Sequence, residues 1–331
     1  MKKDILKLNK CGIFCPQGDF YIDPWKPVDN ALITHGHSDH ARWGMKKYLC
    51  QEDSVEILKT RLGKDINIEG ITYNKSTTIN GVKVSFHPAG HILGSSQIRV
   101  EYKGEVAVVS GDYKIQPDTT CANFELVKCN TFVTESTFAL PIYNWDNEEK
   151  IFEGINKWWQ SNAEEGVASI IYGYALGKSQ RILSILDSSI GPIYTHGAVE
   201  NINEIYRKQG IKLPKTTLAT NLDNKTDFSK AIIVAPSSAD GTTWLRKFGD
   251  ISTAFASGWM QVRGNKRRGN FDKGFVMSDH VDWCGVLDTI KNTGAENVWI
   301  THGYSDILSR YLNEQGYNSK VLESLYDDSD I

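Results

Sequence analysis

The chain reads as an α/β protein in two parts, on three observations. Short apolar stretches near both ends stop at histidines or carboxylates. Strand and helix patterns alternate through the middle, and the first texture returns from about residue 274. The organising stretch is Thr34-His35-Gly36-His37-Ser38-Asp39-His40. It follows Ala31, Leu32 and Ile33, an apolar run that reads as a buried strand, so it occupies the loop at that strand's end. In an extended loop, residues two apart point the same way, so His35 and His37 can hold one metal together. Asp39 and His40 face elsewhere and suit a second metal beside it. Nitrogen and oxygen donors without thiolate favour Zn²⁺ and also admit Mn²⁺ or Fe.

The remaining elements follow in order. Phe20, Tyr21 and Ile22 form a short strand ending at Asp23-Pro24; the proline biases Asp23 towards an extended backbone. Its carboxylate either braces the histidine loop from beneath or is a turn aspartate. Residues 82–89 form a strand running into His87-Pro88-Ala89-Gly90-His91, where Gly90 and Gly94 allow the tight bend that aims His91 at a metal. His87 is read as a strand residue. Residues 97–102 and 105–110 make a hairpin around Lys103-Gly104, and its second strand delivers Asp112. Residues 132–137 repeat the device with Glu135. After Tyr143 a helix opens at Asp146 and Asn147, with Ile151, Ile155 and Trp158 at helical spacing. Strands at 167–173, 192–195, 230–235 and 252–256 then alternate with helices at 178–188, 199–208 and 241–248, the rhythm of a mostly parallel sheet. His196, the only histidine in this part, is read as structural. A strand at 274–277 delivers Ser278-Asp279-His280; helix 283–292 and strand 297–301 deliver Thr301-His302-Gly303. Helix 305–315, a strand near 319–323 and an acidic end (Asp327, Asp328, Asp330) follow.

A length of 331 residues and 40% hydrophobic content suit a globular protein of two core-forming units. The net charge of −3 provides no general attraction for nucleic acid, so such binding requires a local patch. Six scattered cysteines without a CxxC pair are expected to be reduced thiols in a cytoplasmic protein. The opening MKKDILKLNK lacks the apolar core of a secretion signal, and no apolar run approaches a membrane span. Arg263, Lys266, Arg267 and Arg268 fall within six residues that contain no acid, just after Trp259, and such a stretch fits phosphate contacts with flanking aromatics for unpaired bases. Gly173–Lys178 opens a helix whose amides, with Lys178, fit a phosphate; Ser257-Gly258 is a similar feature.

Six of the eight histidines therefore sit at strand ends beside glycine or a carboxylate, where loops on a rigid sheet carry catalytic metals. HGHSDH resembles the HxHxDH signature of the metallo-β-lactamase fold, with His91 and Asp112 matching its later ligand motifs. Glu135 in TESTF, His280 in SDH and His302 in THG resemble the three further motifs of the β-CASP nucleases. GDFYIDPWKPVDNALITHGHSDHARWG, HPAGHILGSSQIRVE, VVSGDY, VTESTFALPIY, YALGKSQRIL, FASGWMQVRG and MSDHVDW are similar, in order and spacing, to the bacterial ligase-associated DNA exonucleases. Histidine at 302 resembles the RNA-processing branch instead.

The resemblance implies an αββα sandwich, residues 1–144 plus 274–331, with an inserted β-CASP α/β domain at 145–273. It implies two divalent ions: His35, His37 and His91 on the first, Asp39, His40 and His302 on the second, and Asp112 bridging. Zn²⁺ is the expected bound ion and Mn²⁺ the expected activating one. The implied catalytic set is Asp39, His280 and Glu135, with His280 meeting the scissile phosphate or the leaving oxygen and Glu135 fixing its tautomer. The expected function is a phosphodiesterase that shortens DNA, single strands preferred, in a repair pathway with a DNA ligase and a helicase. A narrow cleft between the two parts would admit a single strand more readily than a duplex. An RNA nuclease of the 3′-end-processing type is the alternative. A small-molecule thioesterase or lactamase is a third reading, which leaves the Glu135–His280 pair and the basic stretch without a use.

Overall fold

Alternating apolar residues at the two ends of the chain build two sheets that bury one face against each other. The computed structural model describes residues 4–222, 226–262 and 271–323. Two compact units result: residues 1–144 with 280–331, and residues 145–279.

In the first unit a six-stranded sheet takes its strands in chain order: Lys7–Asn9, Gly12–Cys15, Phe20–Ile22, Asn30–Leu32, Lys47–Gln51 and Ile68–Ile71. The second sheet has seven strands, in the order Asn318–Val321, Asn297–Gly303, Thr131–Ser136, Glu105–Val109, Ser96–Tyr102, Val82–Pro88 and Ser76–Ile79. Its first three pairings are parallel and the rest antiparallel. The period of two divides each strand between two cores. Val109, Val133 and Trp299 point inwards, where they meet Phe20, Ile22 and Leu32 of the other sheet. Their neighbours Val108, Phe132 and Val298 point outwards under Val286, Ile290, Leu308 and Leu312 of helices Trp283–Thr293 and Ser305–Glu314. Helix Val55–Leu62 covers the outer face of the first sheet through Leu58 against Ala31, Ile33 and Tyr48. The result is a helix–sheet–sheet–helix sandwich.

The parallel pairing of Thr131–Ser136 with Asn297–Gly303 joins segments far apart in the chain, with Ser136 beside Gly303. That register sets Glu135 and His302 at the same end of neighbouring strands.

The second unit is a six-stranded parallel sheet, in the order Thr217–Leu218, Ile193–Thr195, Ile232–Ala235, Ala168–Tyr172, Ile251–Ala256 and Lys273–Phe275. Both faces are apolar, as parallel sheets require. Ile171, Ile232 and Val234 pack against Ile155, Trp159 and Ile182, while Ile170, Tyr172 and Ile233 pack against Phe228 and Phe248. The strand expected at 274–277 to open the return of the first unit is Lys273–Phe275 instead, an edge strand of this sheet. The reason is burial: Phe275 and Met277 complete the core built on Trp159. The division between units thus falls at 279/280 rather than 273/274. The helix expected to run to 188 stops at Ser184. There the Asn156 amide donates to Ile185 O and accepts from Asp187 N, ending the turn. The segment expected as helix 241–248 is a 3₁₀ turn, Thr243–Phe248. Among the described residues no helix is long and apolar enough to cross a membrane.

Candidate metal centre

Strand Phe20–Ile22 hands over to Asp23, whose φ of 44° is left-handed and not the extended backbone expected before Pro24. Aspartate tolerates this region, and the twist turns its carboxylate back onto the histidine loop. Oδ1 accepts from Thr34 N at 2.8 Å, and Oδ2 accepts from Thr34 Oγ1 at 2.5 Å and from His40 Nδ1 at 2.8 Å. A buried carboxylate only accepts, so His40 carries a proton on Nδ1 and Nε2 is the nitrogen that could hold a metal. The loop is closed by Ala41 N donating to His37 O at 2.8 Å and by the Arg61 guanidinium donating to Gly36 O. Thr34 and Arg61 were not singled out from sequence; Thr34 adjoins the motif, whereas Arg61 lies on a helix with nothing local to mark it.

Asp23→Asn is expected to leave one donor facing another, at His40 Nδ1–H. The outcome is a loss of about 1–3 kcal/mol of stability and of about 10–100-fold in metal affinity, read by denaturant titration and metal titration.

His91 sits in the expected bend: Gly90 and Gly94 both have φ of 74°, and Ser95 Oγ accepts from His91 N at 3.1 Å. A side chain at Gly90 would meet Lys114 O at 2.2 Å, so only glycine fits. His302 ends strand Asn297–Gly303, where the Ser136 hydroxyl donates to its carbonyl.

Two groups of donors result, each with all its atoms within 4.8 Å of one another. In the first, His37 Nδ1 lies 3.2 Å from His35 Nε2 and 3.0 Å from His91 Nε2. Asp112 Oδ2 lies 3.3 Å from His35 Nε2 and 3.7 Å from His91 Nε2. In the second, His40 Nε2 lies 3.3 Å from Asp39 Oδ2 and 3.4 Å from Asp112 Oδ1, which is 3.1 Å from His302 Nε2. Asp112 thus offers one oxygen to each group. Neighbouring ligands of a tetrahedral ion with bonds of about 2.0–2.1 Å are about 3.3–3.4 Å apart, so these spacings fit divalent cations.

The electrostatics agree with the fit. Burial, followed by the charge of His40, holds His35 down at about 3; burial and then His35 and His280 hold His91 well below the ordinary imidazole range. Both are lone-pair donors at neutral pH. Asp112 is held well below the usual carboxylate range: burial raises it, and the charges of His40, His280 and His35 outweigh that. Asp39 is lowered in the same way, chiefly by His40. His40, despite burial, is held above its ordinary value by Asp39 and Asp112. The carboxylates therefore attract positive charge to this point, whether carried by a proton or by a metal.

Beside these groups stands a third. Glu135, buried, accepts from Tyr113 N at 2.9 Å through Oε1 and from His280 Nδ1 at 2.8 Å through Oε2. The pair assigns the Nδ1–H tautomer to His280, leaving Nε2 as the nitrogen whose protonation can change. The His280 ring lies 4.8 Å from that of His91, centroid to centroid.

Other expectations fall elsewhere. Lys178 does not present its ammonium to a phosphate: it is buried, bound to Met277 O and Asp279. The helix it opens is short and its cap is Gly177, so the loop closes on itself. Ser257 is also buried, its Oγ accepting from Trp259 N as a turn cap. Arg263, Lys266, Arg267 and Arg268 lie outside the described residues, as do Asp327, Asp328 and Asp330. His87 bonds Ser85 and Glu125, and His196 caps helix Gly197–Lys208.

Sandwich and donor set together define a protein whose strand ends carry His/Asp groups that could hold metal ions. The model of the Metallo-beta-lactamase superfamily matches residues 11–161 of this chain. A "Probable DNA ligase" of Opitutus terrae is 24% identical over 92% of this chain and 30% of its own length. An "RNase J-like protein" of Methanocaldococcus jannaschii is 27% identical over 60% of this chain and 54% of its own. "Endoribonuclease YSH1" of Gibberella zeae is 30% identical over 52% of this chain and 25% of its own. The chain thus spans between about a quarter and a half of these relatives' lengths. A crystal structure of a protein of unknown function from Enterococcus faecalis has the same fold. It has a TM-score of 0.62 at 11% identity, over 90% of this chain and 80% of that one.

Proposed function

We propose that this chain is a two-metal phosphodiesterase of the β-CASP kind that shortens single-stranded DNA from an end, working in repair beside a ligase and a helicase. The observation that supports this most is Asp112, with Oδ2 in one donor group and Oδ1 in the other, next to the Glu135–His280 pair. His35, His37 and His91 would hold the first ion and Asp39, His40 and His302 the second, with Asp112 offering an oxygen to each group. When bound, such a pair supplies activated water at neutral pH and charge stabilisation for attacking and leaving oxygens. Zn²⁺ is the resident ion and Mn²⁺ the activating one. Asp39, at the rim of the second group, orients the phosphate-facing side of the site. His280, protonated on both nitrogens, gives its Nε2 proton to the leaving oxygen and keeps Nδ1–H, and Glu135 stabilises the charged ring by accepting from Nδ1.

DNA as substrate is supported by the Opitutus relative, named a probable DNA ligase, whose similarity runs along nearly the whole chain. The RNA reading has its own support in the relatives named as ribonucleases and in histidine at 302. Parallel digestion of end-labelled DNA and RNA strands of one sequence separates the two. DNA shortened from one end with RNA intact is the expected result, and the reverse transfers the site to RNA. Thioester turnover with both strands intact would move it to a small-molecule hydrolase.

Trp43 provides a second support. It lies three residues past His40, within about 11 Å along the chain, and is 74% exposed. An indole in that position suits stacking on an unpaired base. Trp43→Ala is expected to weaken single-strand binding roughly 5- to 150-fold, the range of about 1–3 kcal/mol per stacked base. Anisotropy titration with a labelled oligonucleotide reads it.

A further inference from the structure

The division between the two units falls at the peptide bond from Asp279 to His280, immediately before the histidine that the proposed chemistry uses. The residues leading up to it are held by two cations shielded from water. Lys178 places Nζ 2.9 Å from Asp279 Oδ1 and donates to Met277 O at 2.7 Å. Arg181, one helical turn on, donates through Nη1 to the same Oδ1 at 2.9 Å and to Ser278 O, while its Nη2 pairs with Glu148. The side chains of Lys178, Arg181 and Asp279 are 5%, 4% and 6% exposed. Met277, Ser278 and Asp279 are thus each bound, in succession, by a buried cation.

Stability alone is a poor account of this cluster, because apolar residues of similar volume commonly serve a core as well as a buried ion pair does. What charges add is direction. A guanidinium fork holds its acceptors at set angles, which a greasy contact does not.

We propose that Lys178 and Arg181 are positioning residues for His280. By fixing Ser278 and Asp279 they fix the backbone from which His280 projects, and with it the alignment of the His280–Glu135 pair. The inference rests on the nuclease reading of that pair. Only one Cα–Cα step, about 3.8 Å, separates Asp279 from His280, so slack in one passes to the other. Displacement of a reacting group by about 1 Å costs on the order of 100-fold in rate.

The test uses the full chain with its metals and two variants. Arg181→Met removes the fork. Arg181→Met with Glu148→Gln removes the fork and its second carboxylate together, leaving the balanced pair Lys178–Asp279 so that folding is protected. The expected result in the folded double variant is a kcat lowered about 10–100-fold with KM within about twofold and bound metal unchanged. A raised KM with kcat intact, or no change in either, overturns the proposal. If the wild-type chain holds metal but cuts neither DNA nor RNA, the nuclease reading itself fails, and the His280 Nδ1–H resonance then decides the positioning claim. Broadening of that resonance in the double variant supports it, and a resonance unchanged from wild type overturns it.

Discussion

His37→Ala is expected to abolish metal-dependent cleavage while the protein stays folded. The imidazole is the hub of the first donor group, its Nδ1 lying 3.2 Å from His35 Nε2 and 3.0 Å from His91 Nε2. Its loss leaves two nitrogens and one carboxylate oxygen to hold the first ion. The rate should fall at least about 10²–10³-fold, the scale of removing one group that stabilises charge in a transition state. Stability should change far less. His37 is only partly buried on a loop, and the loop's anchors, Asp23 to Thr34 and Arg61 to Gly36, do not involve its ring. Activity on an end-labelled strand, metal content and a thermal melt check all three. Undiminished cutting by the folded variant would reject the metal assignment.

Glu135→Gln is expected to lower kcat about 10²–10⁴-fold with both ions retained. The carboxylate accepts two N–H bonds, from Tyr113 on one oxygen and His280 on the other. A glutamine has one oxygen, so its amide N–H₂ must face one of those donors. If it faces His280, Nδ1 must accept rather than donate, so the doubly protonated ring that gives up an Nε2 proton is no longer favoured; if it faces Tyr113, a buried amide loses its partner at about 1–3 kcal/mol. His280→Ala should match the kinetic loss without the second effect, which separates tautomer control from folding. Equal metal content with normal kcat in both variants would leave the pair without a catalytic role.

These residues were legible in the sequence to different degrees, for physical reasons. HGHSDH is a local arrangement: its donors lie within a few residues, and loop geometry alone orients them. His91, Asp112, His280 and His302 could be nominated because short apolar strands end at each of them, although nothing local says that their ends meet. The parallel register between Thr131–Ser136 and Asn297–Gly303 joins residues more than 160 positions apart, and it depends on which apolar faces pack. Lys178 shows how a local reading fails. Beside a glycine turn it resembles a phosphate contact, yet its partner Asp279 lies far along the chain and takes its charge into the core.

By itself the sequence determined the donor chemistry, because side-chain identity sets which atoms can bind a cation and strand periodicity sets where a loop begins. Only the tertiary structure decided the partners. Asp23 bends to His40, Asp112 divides its oxygens, and Asp279 joins Arg181, through hydrogen bonds and burial between segments that have no short-range reason to meet.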